Sequence, residues 1–183
     1  MPPIPTIALS FAAVAAILPA QRLLHSYALP ASQTPRTALR SAGDTDGDGV
    51  GDFVAIVRDM PNSSVTNWSV MIASGANGQP LHTLPIPVEP RDAVGFGDAN
   101  LDGKGDVAVI TWTELRVYSG ADGALLYTVP GGSSIFVSVD ALGDWNGDQR
   151  PDLAVLTYDT GSSSVRLPSL IIPNLAPRSQ VSP

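Results

Sequence analysis

The sequence predicts an all-β fold assembled from repeated antiparallel units, and three observations predict it. A nine-residue acidic loop occurs three times, each time running straight into an apolar run. A second segment also repeats, with Ser74–Pro85 aligning with Ser119–Pro130 at an offset of 45 residues. The 183 residues include seventeen glycines and seventeen prolines, which suits short strands joined by tight turns. No convincing amphipathic helix appears outside the N-terminus. The length is that of one domain, and 44% hydrophobic residues are enough for a core.

The first acidic loop reads Asp44-Thr45-Asp46-Gly47-Asp48-Gly49-Val50-Gly51-Asp52, followed by Phe53-Val54-Ala55-Ile56. The second is Asp98-Ala99-Asn100-Leu101-Asp102-Gly103-Lys104-Gly105-Asp106, followed by Val107-Ala108-Val109-Ile110. The third is Asp144-Trp145-Asn146-Gly147-Asp148-Gln149-Arg150-Pro151-Asp152, followed by Leu153-Ala154-Val155-Leu156. Side-chain oxygens therefore recur at positions 1, 3, 5 and 9, with a glycine just before position 1. Calcium takes six to eight oxygen ligands, and oxygens at alternate positions of a curled loop can converge on one point. A backbone carbonyl at position 7 can add a ligand whatever its side chain, so Val50, Lys104 and Arg150 can share this place. Gly49 and Gly103 at position 6 permit a sharp turn, and Gln149 breaks that pattern.

Ten of the seventeen acidic residues lie in these three windows. Without a cation, neighbouring carboxylates repel one another and raise their own pKa values. Three bound Ca²⁺ ions would move the formal net charge from −7 to about −1. The competing reading is a set of plain Asp/Gly turns between strands. An EF-hand is excluded, because its position 12 needs a bidentate Glu and these loops have Ala55, Val109 and Val155 there.

The repeating unit then reads as a short strand, the acidic loop, an apolar strand, a middle strand, a hairpin and an outer strand. Asn77-Gly78 and Asp122-Gly123 between apolar runs are hairpin signals. The loops recur after 54 and then 46 residues, a period within the range of four-stranded propeller blades. The extra eight residues fall around Pro61-Asn62-Ser63-Ser64, a surface-loop composition. The expectation is a partial β-propeller of about three blades, each a four-stranded antiparallel sheet. Leu23-Leu24-His25-Ser26-Tyr27 reads as the last strand of a preceding blade. A closed propeller has four to eight blades, so closure would require further blades or self-association.

The chain resembles the FG-GAP (VCBS-type) repeats of integrin-α-like β-propellers. Phe96-Gly97-Asp98 through Asp106-Val107-Ala108-Val109, their equivalents and the Ser-Gly-Ala-Asp/Asn-Gly hairpin carry this resemblance. It implies Ca²⁺ at about three sites. The side-chain ligands would be Asp44, Asp46, Asp48, Asp52; Asp98, Asn100, Asp102, Asp106; and Asp144, Asn146, Asp148, Asp152. It also implies a non-enzymatic module for extracellular adhesion or recognition, with a protein or carbohydrate ligand. The resemblance departs in the third unit, where Val165-Arg166-Leu167 and a Pro-rich stretch stand in place of the hairpin.

Residues 1–20 read as a signal peptide, since 4–20 form an apolar core ending at a small residue. No Lys or Arg precedes that core, and the alternative is an inner strand of a degenerate first blade. The core is short for a membrane span and carries two prolines. Residues 21–166 would hold the repeats, and 167–183 a Pro/Ser-rich tail. Millimolar extracellular calcium is what weak all-oxygen loops need, so a secreted or cell-surface location is expected. With no cysteine there is no disulfide framework.

Catalytic signals are poor: there is no His-Glu-x-x-His and no Gly-x-Ser-x-Gly. His25 and His82 fall at equivalent half-exposed strand positions, matched by Tyr127. Ten basic residues against seventeen acidic ones disfavour nucleic-acid binding. Two other readings stand beside the recognition module. One is an accessory propeller fragment of a secreted carbohydrate-active enzyme, and the other is a calcium-stabilised structural spacer.

Overall fold

The structure is a computed structural model that describes residues 26–36, 39–62 and 65–159. The residues of the signal-peptide reading, 1–20, and of the tail, 167–183, lie outside the described residues. So do Leu23, Leu24 and His25 of the strand expected before the first unit, and Ser26 and Tyr27 are not in a strand.

The described residues form eleven strands and no helix. The first sheet contains β1 (Gln33–Pro35), β2 (Arg40–Gly43), β3 (Asp52–Asn62), β4 (Val65–Ala73) and β5 (Pro80–Ile86). The second contains β6 (Asp92–Gly97), β7 (Asp106–Ile110), β8 (Glu114–Tyr118) and β9 (Leu125–Pro130). The third contains β10 (Ser134–Gly143) and β11 (Asp152–Asp159). Every pairing is antiparallel, and consecutive strands are neighbours from β3 to β5, from β6 to β9 and from β10 to β11. The acidic loops join β2 to β3, β6 to β7 and β10 to β11. The all-β expectation holds, and so does the order of elements in the first two units.

The strand counts differ from three sets of four. Five, four and two strands are found, and the sheets do not close into a propeller among the described residues. The first sheet has a fifth strand because its leading edge is split. β1 pairs with Val57, Arg58 and Asp59 of β3, while β2 pairs with Asp52, Phe53 and Val54 of the same strand. The extra length of the first unit lies partly in strand, and Ser63 and Ser64 lie outside the described residues. Pro61 and Asn62 are still in strand, Asn62 pairs with Val65, and β3 reaches 11 residues against five in β7.

Burial follows the period-two rule of strands, but with apolar residues on both faces. In β7, Val107 and Val109 join a core with Val54, Ile56, Val70 and Ile72 of the first sheet. Their neighbours Ala108 and Ile110 join a second core with Phe136, Val139, Leu153 and Val155 of the third sheet. The middle sheet is thus a layer between two others, which is why β7 is continuously apolar rather than alternating. Each fully buried Val or Ile contributes about 1.5–3 kcal/mol.

The leading strands β2, β6 and β10 pack side by side. A Cβ on Gly95 would sit 2.2 Å from the backbone of Ala42, so only glycine allows β6 to approach β2 this closely. Asp92 at the start of β6 spans all three sheets. Its carboxylate accepts from Arg40 of β2 at 3.0 Å and from Ser138 of β10 at 3.2 Å. The far face of the first sheet, Ala55, Val57, Met71 and Ala73, is covered by Leu29 and Phe53.

Candidate metal centre

The three acidic loops fold alike because short Asp and Asn side chains hydrogen-bond backbone amides a few residues on. In the first loop the Asp44 carboxylate accepts from Gly47 N at 2.7 Å and Gly49 N at 2.9 Å. Asp46 accepts from Asp48 N and Asp48 from Val50 N, at 3.0 and 2.7 Å. The second loop repeats this, with Asp98 accepting from Asp102 N and Gly103 N, Asn100 from Asp102 N and Asp102 from Lys104 N. In the third, Asp144 accepts from Gly147 N, Asp148 N and Gln149 N, Asn146 from Asp148 N and Asp148 from Arg150 N. Position 1 thus gathers the loop's amides, and positions 3 and 5 each brace the residue two further on.

Two positions in each loop take left-handed backbone, not only position 6. Gly49, Gly103 and Gln149 have φ of 84°, 86° and 68°, so the third loop keeps the turn despite its glutamine. Position 4 does the same, with Gly47 at 81°, Leu101 at 64° and Gly147 at 79°. A left-handed conformation costs a residue with a side chain roughly 1–2 kcal/mol, and Leu101 is 59% exposed. Leu101→Gly is therefore expected to stabilise the protein by about 0.5–1 kcal/mol in urea unfolding, allowing for glycine's extra unfolded-state entropy. A loss of stability would mean that Leu101 packs more than its exposure indicates.

In the first loop, Asp44, Asp46 and Asp48 each present a carboxylate oxygen within 4.8 Å of the others. Two oxygens bound to one calcium at about 2.3–2.6 Å lie at most about 5 Å apart, so this triad fits the ion. Asp46 and Asp48 each use Oδ1 for the backbone, and Oδ2 of each takes no hydrogen bond among the described residues. Three carboxylates this close repel one another until a cation neutralises them.

The second and third loops bring together two carboxylates and an amide. The Asn100 amide donates to Asp102 at 2.9 Å, and the Asn146 amide to Asp148 at 3.2 Å. These contacts relieve local charge within the loop. Their backbone is that of the first loop, but their anionic field is weaker.

Position 9 sits differently from the other three. Asp52, Asp106 and Asp152 are 3%, 0% and 1% exposed, and Asp52 is not among the convergent oxygens of the first loop. Asp52 Oδ2 accepts from the N–H and hydroxyl of Thr45, and Oδ1 from Gly75 N at 2.9 Å. Asp106 accepts from Ala99 N at 2.8 Å, Asn100 N at 3.2 Å and Gly120 N at 3.2 Å. Position 9 therefore ties the start of the first and second loops to the Ser-Gly hairpin of the same sheet. Asp152 has no described hairpin beside it and accepts from Trp145 N, Asn146 N and the Asn146 amide. The repeated Ser-Gly pair accompanies the first two loops alone, but nothing in the loop sequence itself ties position 9 to it.

Burial pushes the Asp106 carboxyl up to about 6 from its usual 3.8, against the three backbone donors, and nearby Asp102 adds to the rise. A carboxyl raised in the folded state favours folding below its unfolded pKa, and that contribution is lost as pH rises through about 6. In chelator, the Asp106 contribution is expected to fall by up to about 3 kcal/mol between pH 4 and 7. A carbon-detected NMR titration of Asp106 near 4 would contradict this.

The hairpins confirm the 45-residue alignment atom by atom. Ser74 N donates to Gln79 O and Gly78 N to Ser74 O, as Ser119 N does to Ala124 O and Gly123 N to Ser119 O. His82 on β5 places Nε2 2.9 Å from the carbonyl of Gly120, so it links the first sheet to the second sheet's hairpin. His25 lies outside the described residues. Position 7 side chains also cross between units: the Arg150 guanidinium donates to Ala99 O at 3.2 Å, and Lys104 lies against Gly47.

Comparison with protein-family models finds none that matches the chain, and comparison with curated proteins finds no match. The functional reading therefore rests on the residues and their geometry.

Proposed function

We propose that the chain is a calcium-binding repeat module of the FG-GAP (VCBS) type. It would be a partial β-propeller, non-enzymatic, serving extracellular adhesion or ligand recognition. The observation that carries this reading is the convergence of the Asp44, Asp46 and Asp48 oxygens within 4.8 Å, on a loop whose hydrogen-bond pattern recurs twice more. Stacked sheets with two apolar faces support the blade reading, because repeats bury their faces against neighbours. Calcium would sit among the side-chain oxygens of positions 1, 3 and 5, helped by the carbonyls of Val50, Lys104 and Arg150. It would supply positive charge and rigidity to the rim on which the loops lie. Extracellular protein or carbohydrate is the ligand class the family resemblance implies, with loops at a rim as the place for it.

The test is a calorimetric calcium titration of the chain after chelation. About three sites are expected, with Asp46→Asn removing the tightest because the first loop holds three carboxylates. A folded protein that takes up no calcium would reduce the loops to Asp/Gly turns.

A further inference from the structure

We propose that the first and second acidic loops bind their ions as a coupled pair through the peptide unit between Lys104 and Gly105, while the third loop stands outside that coupling. The inference rests on the calcium reading given above. Gly105 is position 8 of the second loop, and its N–H donates to the backbone carbonyl of Asp44 at 2.7 Å. Asp44 is position 1 of the first loop and a member of its convergent triad.

No cis peptide bond occurs among the described residues, so the Lys104–Gly105 unit is planar and trans. Its carbonyl then points opposite to its N–H, away from Asp44. That carbonyl is the position 7 oxygen, the backbone ligand expected in the second loop. One rigid plane therefore carries a second-loop ligand on one side and holds the residue that opens the first loop on the other. Orienting or polarising the carbonyl strengthens the N–H bond, because linked hydrogen bonds polarise one another. The approach is close: a Cβ on Gly105 would lie 3.2 Å from the carbonyl oxygens of Ala42 and Asp44.

The third loop lacks the donor. Its position 8 is Pro151, which has no N–H, so an equivalent bond to the Asp98 carbonyl cannot form. Arg150 makes the contact with its side chain instead, to Ala99 O at 3.2 Å. That bond keeps the loops together, but it does not share a peptide plane with the position 7 carbonyl. The junction between loops one and two transmits; the junction between two and three only holds.

The experiment is a set of calcium titrations of the full chain in moderate salt, followed loop by loop by NMR. The amides of Gly47 and Gly49 report the first loop, Gly103 the second and Gly147 the third. Asp102→Asn removes charge from the second loop while keeping an oxygen for the Lys104 N–H. It is expected to weaken calcium at the first loop about fivefold, and Asp46→Asn to weaken the second loop in turn, because calcium at either loop shifts the other's affinity by one common factor. Asp148→Asn, the matching change in the third loop, is expected to leave the second loop's affinity within about twofold. A Coulombic effect needs no linking peptide plane, so it would also reach the second loop from Asp148→Asn. Calcium binding with no cross-effect, or with equal cross-effects at the two junctions, would overturn the coupling and leave the calcium reading standing. No binding at either loop would overturn both.

Discussion

Asp106→Ala is expected to destabilise the protein by about 3–5 kcal/mol, by the same amount in calcium and in chelator. The residue is fully buried, and its two oxygens take the amides of Ala99, Asn100 and Gly120. Removing the carboxylate leaves three backbone donors without their acceptor, and each buried donor left unsatisfied costs about 1–3 kcal/mol. Water reaching the vacated space would lower the sum, hence a value below three full penalties. Asp106→Asn is expected to recover part of the loss, because its carbonyl oxygen can keep one side of the network while its amide faces donors. Urea unfolding with and without calcium makes the measurement. A loss concentrated in calcium would instead make Asp106 a ligand, as the spacing of oxygens at positions 1, 3, 5 and 9 predicts.

That contrast marks where the sequence was informative. Local chemistry was legible: the Asp and Asn side chains at positions 1, 3 and 5 make the short-range bonds their spacing allows, in all three loops. The hairpins were equally legible, because Asn77-Gly78 and Asp122-Gly123 specify their own turns. The alternation of buried residues in β7 toward two different sheets follows from its continuous apolar run.

What was not legible depends on residues far apart in the chain. The nine-residue loop gives no sign that position 9 serves a hairpin more than ten residues downstream, so it reads as one more oxygen in an acidic series. Nor does it show that Arg150 reaches Ala99, since a position 7 side chain appears free to vary when only its carbonyl is considered. The split leading edge of the first sheet arises because the long β3 offers more edge than the four-residue β2 can cover, leaving room for β1. Pro61 and Asn62 belong to a stretch of loop-like composition, yet the long pairing of β3 with β4 keeps them in strand.

Calcium is expected to raise the melting temperature by on the order of 10–20 °C, and Asp48→Asn to change sign between the two states. The weak end of all-oxygen calcium sites has dissociation constants of about 10⁻⁴–10⁻³ M. At about 10 mM calcium each occupied site then stabilises the fold by roughly 1.4–2.7 kcal/mol, or about 4–8 kcal/mol for three. In chelator the convergent carboxylates of Asp44, Asp46 and Asp48 oppose folding by mutual repulsion. Asp48→Asn removes one of those charges but keeps an oxygen for the Val50 amide, so the metal-free protein should melt slightly higher than the parent. In calcium the same change weakens the site with the densest charge, and most of that site's share of the stabilisation should disappear. Magnesium at equal concentration should reproduce little of the effect, because it demands a tighter octahedral shell. Equal shifts in calcium and chelator would show that Asp48 serves only its turn. A crossing of the two curves requires a cation that the three carboxylates share.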